Sequence, residues 1–110
     1  MTQQMPPQIS LSDFIDRHAE GAYVVDVREA DEYAGGHVPG AVFAPMSNIT
    51  PHLPEIPRGR DVYVICAAGK RSLAMAELMT AHGIQAISVD DGTNGWVDAG
   101  QPVIEGSQPD

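Results

Sequence analysis

Short apolar runs rich in β-branched residues alternate along the chain with segments of helical character. The runs at residues 23–27 and 61–66 are the clearest, because each has the length and composition of a buried strand. Shorter runs at residues 41–44 and 86–89 predict two further strands. We therefore expect four strands, with helical or irregular segments between them.

A short helix is expected before the first strand. Ser10 and Asp13 have the spacing of a capping box, in which the two side chains bind free backbone N–H groups at a helix start. The helix should run to about His18 and close at Gly21, where a residue without a Cβ can end it.

Between and after the strands, the pattern predicts helices of unequal length. The acidic segment 29–33 predicts a short exposed helix, and the four prolines of residues 45–60 restrict helix there to short, broken pieces. Residues 72–82 are apolar nearly all round, which predicts a buried helix. Trp96 lies in a segment, DDGTNGW, whose composition is typical of turns.

This alternation with short connections predicts one α/β domain, with a mostly parallel central sheet and helices on both faces. A chain of 110 residues with 43% hydrophobic content is long enough for one compact core and too short for two ordinary domains. The polar, proline-containing ends predict flexible termini at residues 1–8 and 105–110, which leaves residues 9–104 as the domain.

The charge balance excludes some classes of partner. Fifteen acidic residues against six basic ones give a formal net charge of −9, which repels nucleic acid and anionic membrane surfaces. We find no apolar run near the ~18 residues that a membrane span requires. The single cysteine and an N-terminus unlike a signal peptide predict a reducing, cytoplasmic location.

The only cysteine lies in the segment CAAGKRS, at the end of a predicted strand and just before a helix. Open α/β sheets bind ligands at such positions, where loop N–H groups and the helix dipole attract an anion. Gly69 permits the loop to curl, and Lys70 and Arg71 add positive charge. Cys66 should therefore have a depressed pKa and react as a thiolate. The alternative is that Cys66 is a small buried apolar side chain.

Other polar residues have simpler explanations. The acidic segment around Glu32 is equally well explained as a solvated surface. His37, between glycines in a tight connection, is better explained as a structural residue than as a proton donor. His18, His52 and His82 have no carboxylate or cysteine at metal-ligand spacing, so neither a metal site nor a cofactor is expected.

Three stretches together resemble the rhodanese-like single-domain sulfurtransferases, over a region from about Ile9 to Val103. The first comprises DVRE, EY and GHVPGA, the second is CAAGKRS, and the third is GTNGW, at residues 26–29, 32–33, 36–41, 66–72 and 92–96. Each stretch alone is weak evidence, but three in order and at the family's spacing are highly specific.

The resemblance implies that Cys66 accepts a sulfane sulfur from thiosulfate or a persulfide. The resulting Cys66 persulfide would pass its outer sulfur to a thiophilic acceptor, which is cyanide in an assay and a thiol or partner protein in the cell. It also implies that the rest of the loop binds the donor and the persulfide through Ala67, Ala68, Gly69, Lys70, Arg71 and Ser72. The implied scaffold of the first stretch consists of Asp26, Arg28 and His37.

The chain departs from the family at two points. Ala67 and Ala68 stand where two-domain members adapted to thiosulfate carry basic residues, so the resemblance does not identify the sulfur donor. Asp91 replaces the first of two glycines, although aspartate tolerates left-handed backbone better than most residues.

Two other functions compete with sulfur transfer. Cysteine phosphatases and arsenate reductases also bind an anion over a cysteine, but a phosphatase loop needs five residues between cysteine and arginine, and only four separate Cys66 from Arg71. A non-catalytic interaction or regulatory module of the same fold is the second alternative, and the retained cysteine argues against it.

Overall fold

A computed structural model describes residues 6–110 of the chain and contains a single five-stranded sheet in that region. The strand order is β1-β5-β4-β2-β3, and neighbouring strands pair in parallel. The strands are β1 (Gln8–Ile9), β2 (Tyr23–Asp26), β3 (Val42–Phe43), β4 (Asp61–Ile65) and β5 (Gln85–Val89). The predicted α/β fold with a mostly parallel sheet is confirmed.

The α-helices lie on both faces of the sheet. They are α1 (Leu11–Ala19), α2 (Ala30–Gly35), α3 (Lys70–Ala81) and α4 (Gly92–Asp98), and two 3₁₀ helices occupy Met46–Asn48 and Thr50–Glu55. Alternate residues of β4 enter opposite cores: Val64 packs with the α3 face, and Ile65 packs with the face that holds α1 and α4. Both faces of the central strands are therefore buried, as expected for a parallel sheet.

Helix α1 begins at the predicted position, and the Ser10 contact of the expected capping box is present. The Ser10 hydroxyl accepts a hydrogen bond from the Asp13 N–H at 3.2 Å, which satisfies one free donor of the first turn. Gly21 follows the helix with a φ of +91°, a left-handed conformation that favours glycine.

Two predicted helical features differ from the structure. Helix α3 begins at Lys70 rather than at residue 72, and it is not buried all round: its fully buried residues are Ser72, Ala76 and Met79. The expected turns around Trp96 are in fact helix α4. Tertiary packing explains this helix, because the Trp96 ring is buried and lies 5.7 Å from the ring of Phe14 in α1.

Both ends of the expected domain make contacts in the structure. Strand β1 begins at Gln8, which pairs with Ser88, and residues 1–5 of the predicted flexible N-terminus lie outside the described part. In the C-terminal segment, the Gly106 N–H donates to the Ala34 oxygen, and the Pro109 oxygen accepts from the Gly40 N–H. The predicted flexibility of residues 105–110 stays a prediction about motion.

Candidate active site around Cys66

Cys66 immediately follows β4, the middle strand of the sheet, and lies at the carboxyl ends of the strands. Residues 67–69 then form a short loop that enters α3. The cysteine residue is buried, with only 1% of its surface exposed. Open α/β folds bind ligands at this end of the sheet, so the predicted placement of Cys66 agrees with the structure.

Two neutral polar groups, the Gly69 N–H and the Ser72 hydroxyl, contact the sulfur. The Gly69 N–H donates to the Cys66 Sγ at 3.1 Å, and the Ser72 Oγ lies 3.4 Å from the Sγ. The Ser72 hydroxyl is in turn 2.9 Å from the Ser88 hydroxyl on β5. Gly69 has a φ of +102°, a left-handed conformation that favours glycine at the entry to α3.

The net effect of this environment is to lower the pKa of the Cys66 thiol. Burial raises the pKa because it disfavours a charged sulfur, but hydrogen bonds from the Ser72 hydroxyl and from the N–H groups of Ser72, Gly69 and Ala68 outweigh it. When Cys66 is a thiolate, Ser72 donates to the sulfur. The site therefore stabilises a negative charge on sulfur with groups that carry no formal charge.

Helix α4 supports the loop from behind. The Thr93 N–H donates to the Cys66 carbonyl oxygen at 2.8 Å, and the Asn94 N–H donates to the Ala67 oxygen at 3.0 Å. Gly92 permits this approach, because a Cβ at that position would lie 2.5 Å from the Cys66 oxygen. Asp91 adopts a φ of +63°, so the aspartate accommodates the backbone conformation that the family usually builds with glycine.

The outer rim of the loop is small and partly charged. Ala68 and Lys70 are exposed, and Ala67 is half-buried. Arg71 forms a two-pronged ion pair with Glu32 of α2, with N–O distances of 2.8 and 2.9 Å. Hydrogen bonds to Glu32 raise the pKa of Arg71, and the negative charges of Glu32 and of a Cys66 thiolate add to the effect.

Of the three residues proposed as scaffold, Asp26 and Arg28 pair with each other, and His37 follows Gly36, whose carbonyl oxygen accepts from Arg28. Arg28 donates to both carboxylate oxygens of Asp26 and, at 2.8 Å, to the Gly36 carbonyl oxygen. The fully buried His37 ring stacks on Tyr33 with centroids 3.7 Å apart, and its ring nitrogens lie within hydrogen-bond distance of the Tyr33 and Pro109 oxygens. These contacts fit a structural role for each side chain.

Sequence reasoning missed Glu32 and Ser88 as members of the site. The acidic segment around Glu32 was equally well explained as a solvated surface. The spacing of Glu32 from Glu29 is that of a capping box, and this signal could have predicted a fixed orientation for its side chain. Ser88 is a polar residue within an apolar run on β5, and such a residue indicates a buried hydrogen-bond partner.

Within residues 6–110 we find no group of three histidine, cysteine or carboxylate side chains arranged to hold a metal ion. Among the same residues, none of the helices is both long and apolar enough to cross a bilayer.

The chain belongs to the rhodanese-like domain family, whose model matches residues 10–99. It is 35% identical over 86 residues to a sulfurtransferase of Allochromatium vinosum, a match that covers 77% of this chain and 80% of that protein. It is 33% identical over 93 residues to the putative sulfur carrier protein YrkF of Bacillus subtilis, covering 82% of this chain and 50% of the relative. The chain thus spans half the length of that relative.

Solved structures agree with the family assignment. A rhodanese-like domain protein from Staphylococcus aureus superposes with a TM-score of 0.83 at 31% identity, covering 92% of this chain and 99% of that one. Several relatives are named as sulfurtransferases, which supports rhodanese-type sulfur transfer as the general class of activity.

Proposed function

We propose that this protein transfers sulfane sulfur through a persulfide on Cys66. The observation that carries the proposal is the pair of contacts that the Gly69 N–H and the Ser72 hydroxyl make with the buried Cys66 sulfur, an environment that lowers the pKa of the thiol. A thiolate is the nucleophile that the reaction needs, and the terminal sulfur of a persulfide is an anion that the same N–H groups can stabilise.

The chemistry consists of two displacements at sulfur. The Cys66 thiolate attacks the outer sulfur of the donor, a new S–S bond forms, the S–S bond of the donor breaks, and sulfite or a thiolate leaves. A thiophilic acceptor then attacks the outer sulfur of the Cys66 persulfide and releases the Cys66 thiolate. Cyanide would serve in an assay, and a small thiol or a partner protein would serve in the cell.

The rim of the loop favours persulfides over thiosulfate as donors. Ala67 and Ala68 leave the mouth open and offer no charged contacts to sulfonate oxygens. We expect thiosulfate to react with an apparent affinity in the millimolar range or weaker, at the weak end of the scale usual for enzymes. The protein is thus proposed to be a persulfide carrier that accepts thiosulfate, in a reducing cytoplasm where the free thiol persists.

Mass spectrometry of the intact protein tests this proposal. After exposure to thiosulfate or glutathione persulfide, the wild type should gain the mass of one sulfur, and Cys66→Ser should gain none. The second-order rate of persulfide formation should be higher with glutathione persulfide. A rate with thiosulfate that equals or exceeds it would contradict the carrier role and leave sulfur transfer intact.

The same measurements address the two competing functions. No sulfur gain on Cys66 from either donor would contradict sulfur transfer and favour a non-catalytic module. Hydrolysis of an aryl phosphate that depends on Cys66 would instead favour a phosphatase. We expect no such hydrolysis, because the short loop already has its arginine bound to Glu32.

A further inference from the structure

The charge of Arg71 is already neutralised in the resting site. Its guanidinium binds both oxygens of Glu32, and the two side chains are 32% and 33% exposed. Among residues 6–110, none of the ion pairs found includes Lys70, which is exposed. Lys70 is therefore the loop cation that is left for an incoming donor.

Glu32 is held in place independently of Arg71. The Glu29 N–H donates to Glu32 Oε1 at 3.1 Å as part of the capping box that starts α2. The Glu29 carboxylate in turn accepts a hydrogen bond from the Ser47 hydroxyl at 2.6 Å. Because the start of α2 fixes the Glu32 carboxylate, Glu32 is a preorganised partner for Arg71 and not a mobile surface charge.

We propose that Glu32 determines donor specificity: by pairing with Arg71 it disfavours donors that carry a second negative charge beside the transferred sulfur. The inference rests on the proposed sulfur transfer and names the class of donor that the site prefers. Thiosulfate carries a sulfonate directly bonded to its outer sulfur, so its two charges arrive together. The persulfide of a neutral thiol carries one charge, which the loop N–H groups can bind without a cation.

A matched set of donors separates charge from sulfur chemistry. The persulfides of 2-mercaptoethanol and of 2-mercaptoethanesulfonate have the same reacting group, and the second carries an additional sulfonate. Thiosulfate is the third donor. Persulfide formation on Cys66 can be followed for each by rapid quench and mass spectrometry, at constant pH and low ionic strength.

Glu32→Gln is the informative variant. Glutamine keeps an oxygen that can accept from the Glu29 N–H and from Arg71, but it removes the charge that neutralises the arginine. We expect the rates with thiosulfate and with the mercaptoethanesulfonate persulfide to rise about fivefold, the effect of roughly 1 kcal/mol for a partly exposed charge. The rate with the mercaptoethanol persulfide should change by less than about twofold on the same scale.

Asp31→Asn is the matched control. Asp31 is an exposed residue in the first turn of the same helix, so this variant removes the same formal charge without breaking the ion pair to Arg71. For each sulfonate-bearing donor, the rate of persulfide formation relative to the rate with the mercaptoethanol persulfide should stay near the wild-type value. The double variant Glu32→Gln/Arg71→Gln should not show the faster rates with sulfonate-bearing donors, because it lacks the positive charge of Arg71.

The outcomes distinguish this inference from the function on which it rests. An unchanged donor ratio in Glu32→Gln, an equal change in Asp31→Asn, or a gain that survives in the double variant would each overturn the specificity role alone. If the wild type forms no Cys66 persulfide with any of the three donors, the proposed sulfur transfer fails and the inference fails with it.

Discussion

Two of the three arginine–carboxylate ion pairs found among residues 6–110 involve both carboxylate oxygens, and they lie in very different surroundings. Asp26 and Arg28 are 0% and 7% exposed, whereas Glu32 and Arg71 are about one-third exposed. The first pair joins the end of β2 to the loop that follows it, and the second joins α2 to the first turn of α3. We therefore infer different roles for similar contacts: the buried pair is proposed to hold the scaffold, and the exposed pair is proposed to set the charge at the mouth of the site.

Burial explains why the two pairs differ in energy. A charge inside the protein must be fully bonded, and Arg28 achieves this with the Asp26 carboxylate and the Gly36 oxygen. A charge at the surface keeps much of its hydration and is screened by salt, so its pairing contributes little to stability. Removing one partner should consequently destabilise the fold in one case and alter reactivity in the other.

The largest effect is expected when the buried pair is broken. Arg28→Ala leaves the Asp26 carboxylate buried without its cation, and it should lower the free energy of unfolding by about 3–5 kcal/mol. Urea denaturation measures the change. Arg71→Ala is the matched control and should lower the same quantity by no more than about 1 kcal/mol. Equal losses in the two variants would contradict the division of roles.

The reverse pattern is expected for reactivity. Arg71→Ala removes a cation near the sulfur and exposes the unpaired charge of Glu32 to the donor, so thiosulfate-dependent persulfide formation should slow about tenfold, which corresponds to roughly 1.4 kcal/mol. Arg71→Lys should recover part of the rate, because it keeps the charge but not the two-pronged geometry. A full rate in Arg71→Ala would remove Arg71 from the site.

Salt should lower the rate with thiosulfate without raising the pKa of the Cys66 thiol to the free value. Raising the ionic strength from about 0.01 to 1 M shortens the Debye length from about 30 to 3 Å, so the rate with thiosulfate should fall severalfold. The pKa of the buried Cys66 thiol, measured from alkylation by a neutral reagent, should remain below the ~8.5 of a free cysteine at both ionic strengths. A midpoint that moves to the free value in salt would show that charged side chains stabilise the thiolate.

The smallest effect concerns stability in acid. Hydrogen bonds from Arg71 lower the pKa of Glu32 from 4.5 to about 2 against an opposing effect of burial. Because the folded pKa lies below the unfolded one, this contribution to stability is present above about pH 4.5 and is lost as the pH falls toward 2. Glu32→Gln should flatten the stability curve slightly in that window, measured by thermal unfolding, and Asp31→Asn should not.

Local patterns were sufficient to place Cys66, the candidate reactive residue, in the fold. An apolar run, a glycine and a helix start placed Cys66 at a strand end, because each of these signals acts over a few neighbouring residues. The partner of Arg71 could not be found in this way, since Glu32 lies 39 residues earlier in the chain. The contact depends on how α2 and α3 approach each other across the end of the sheet.

Helix α4 was missed for a related reason. Its two glycines and its asparagine favour turns when propensity alone is considered, and only the burial of Trp96 against α1 favours a helix. Strand β1 was missed as well, because two residues beside a proline-rich terminus carry no periodic pattern of their own. In both cases contacts distant in sequence outweigh local preference.

The close approach of Gly92 to the reactive loop has a consequence for protein engineering. A graft of residues 66–72 into another parallel α/β scaffold would carry Cys66, the loop glycine Gly69, and the basic residues Lys70 and Arg71. It would lack the N–H groups of Thr93 and Asn94, which hold the Cys66 and Ala67 carbonyls from 27 residues further along the chain. The smallest transferable module is therefore two discontinuous segments, and a library that varies the loop should keep Gly92 constant.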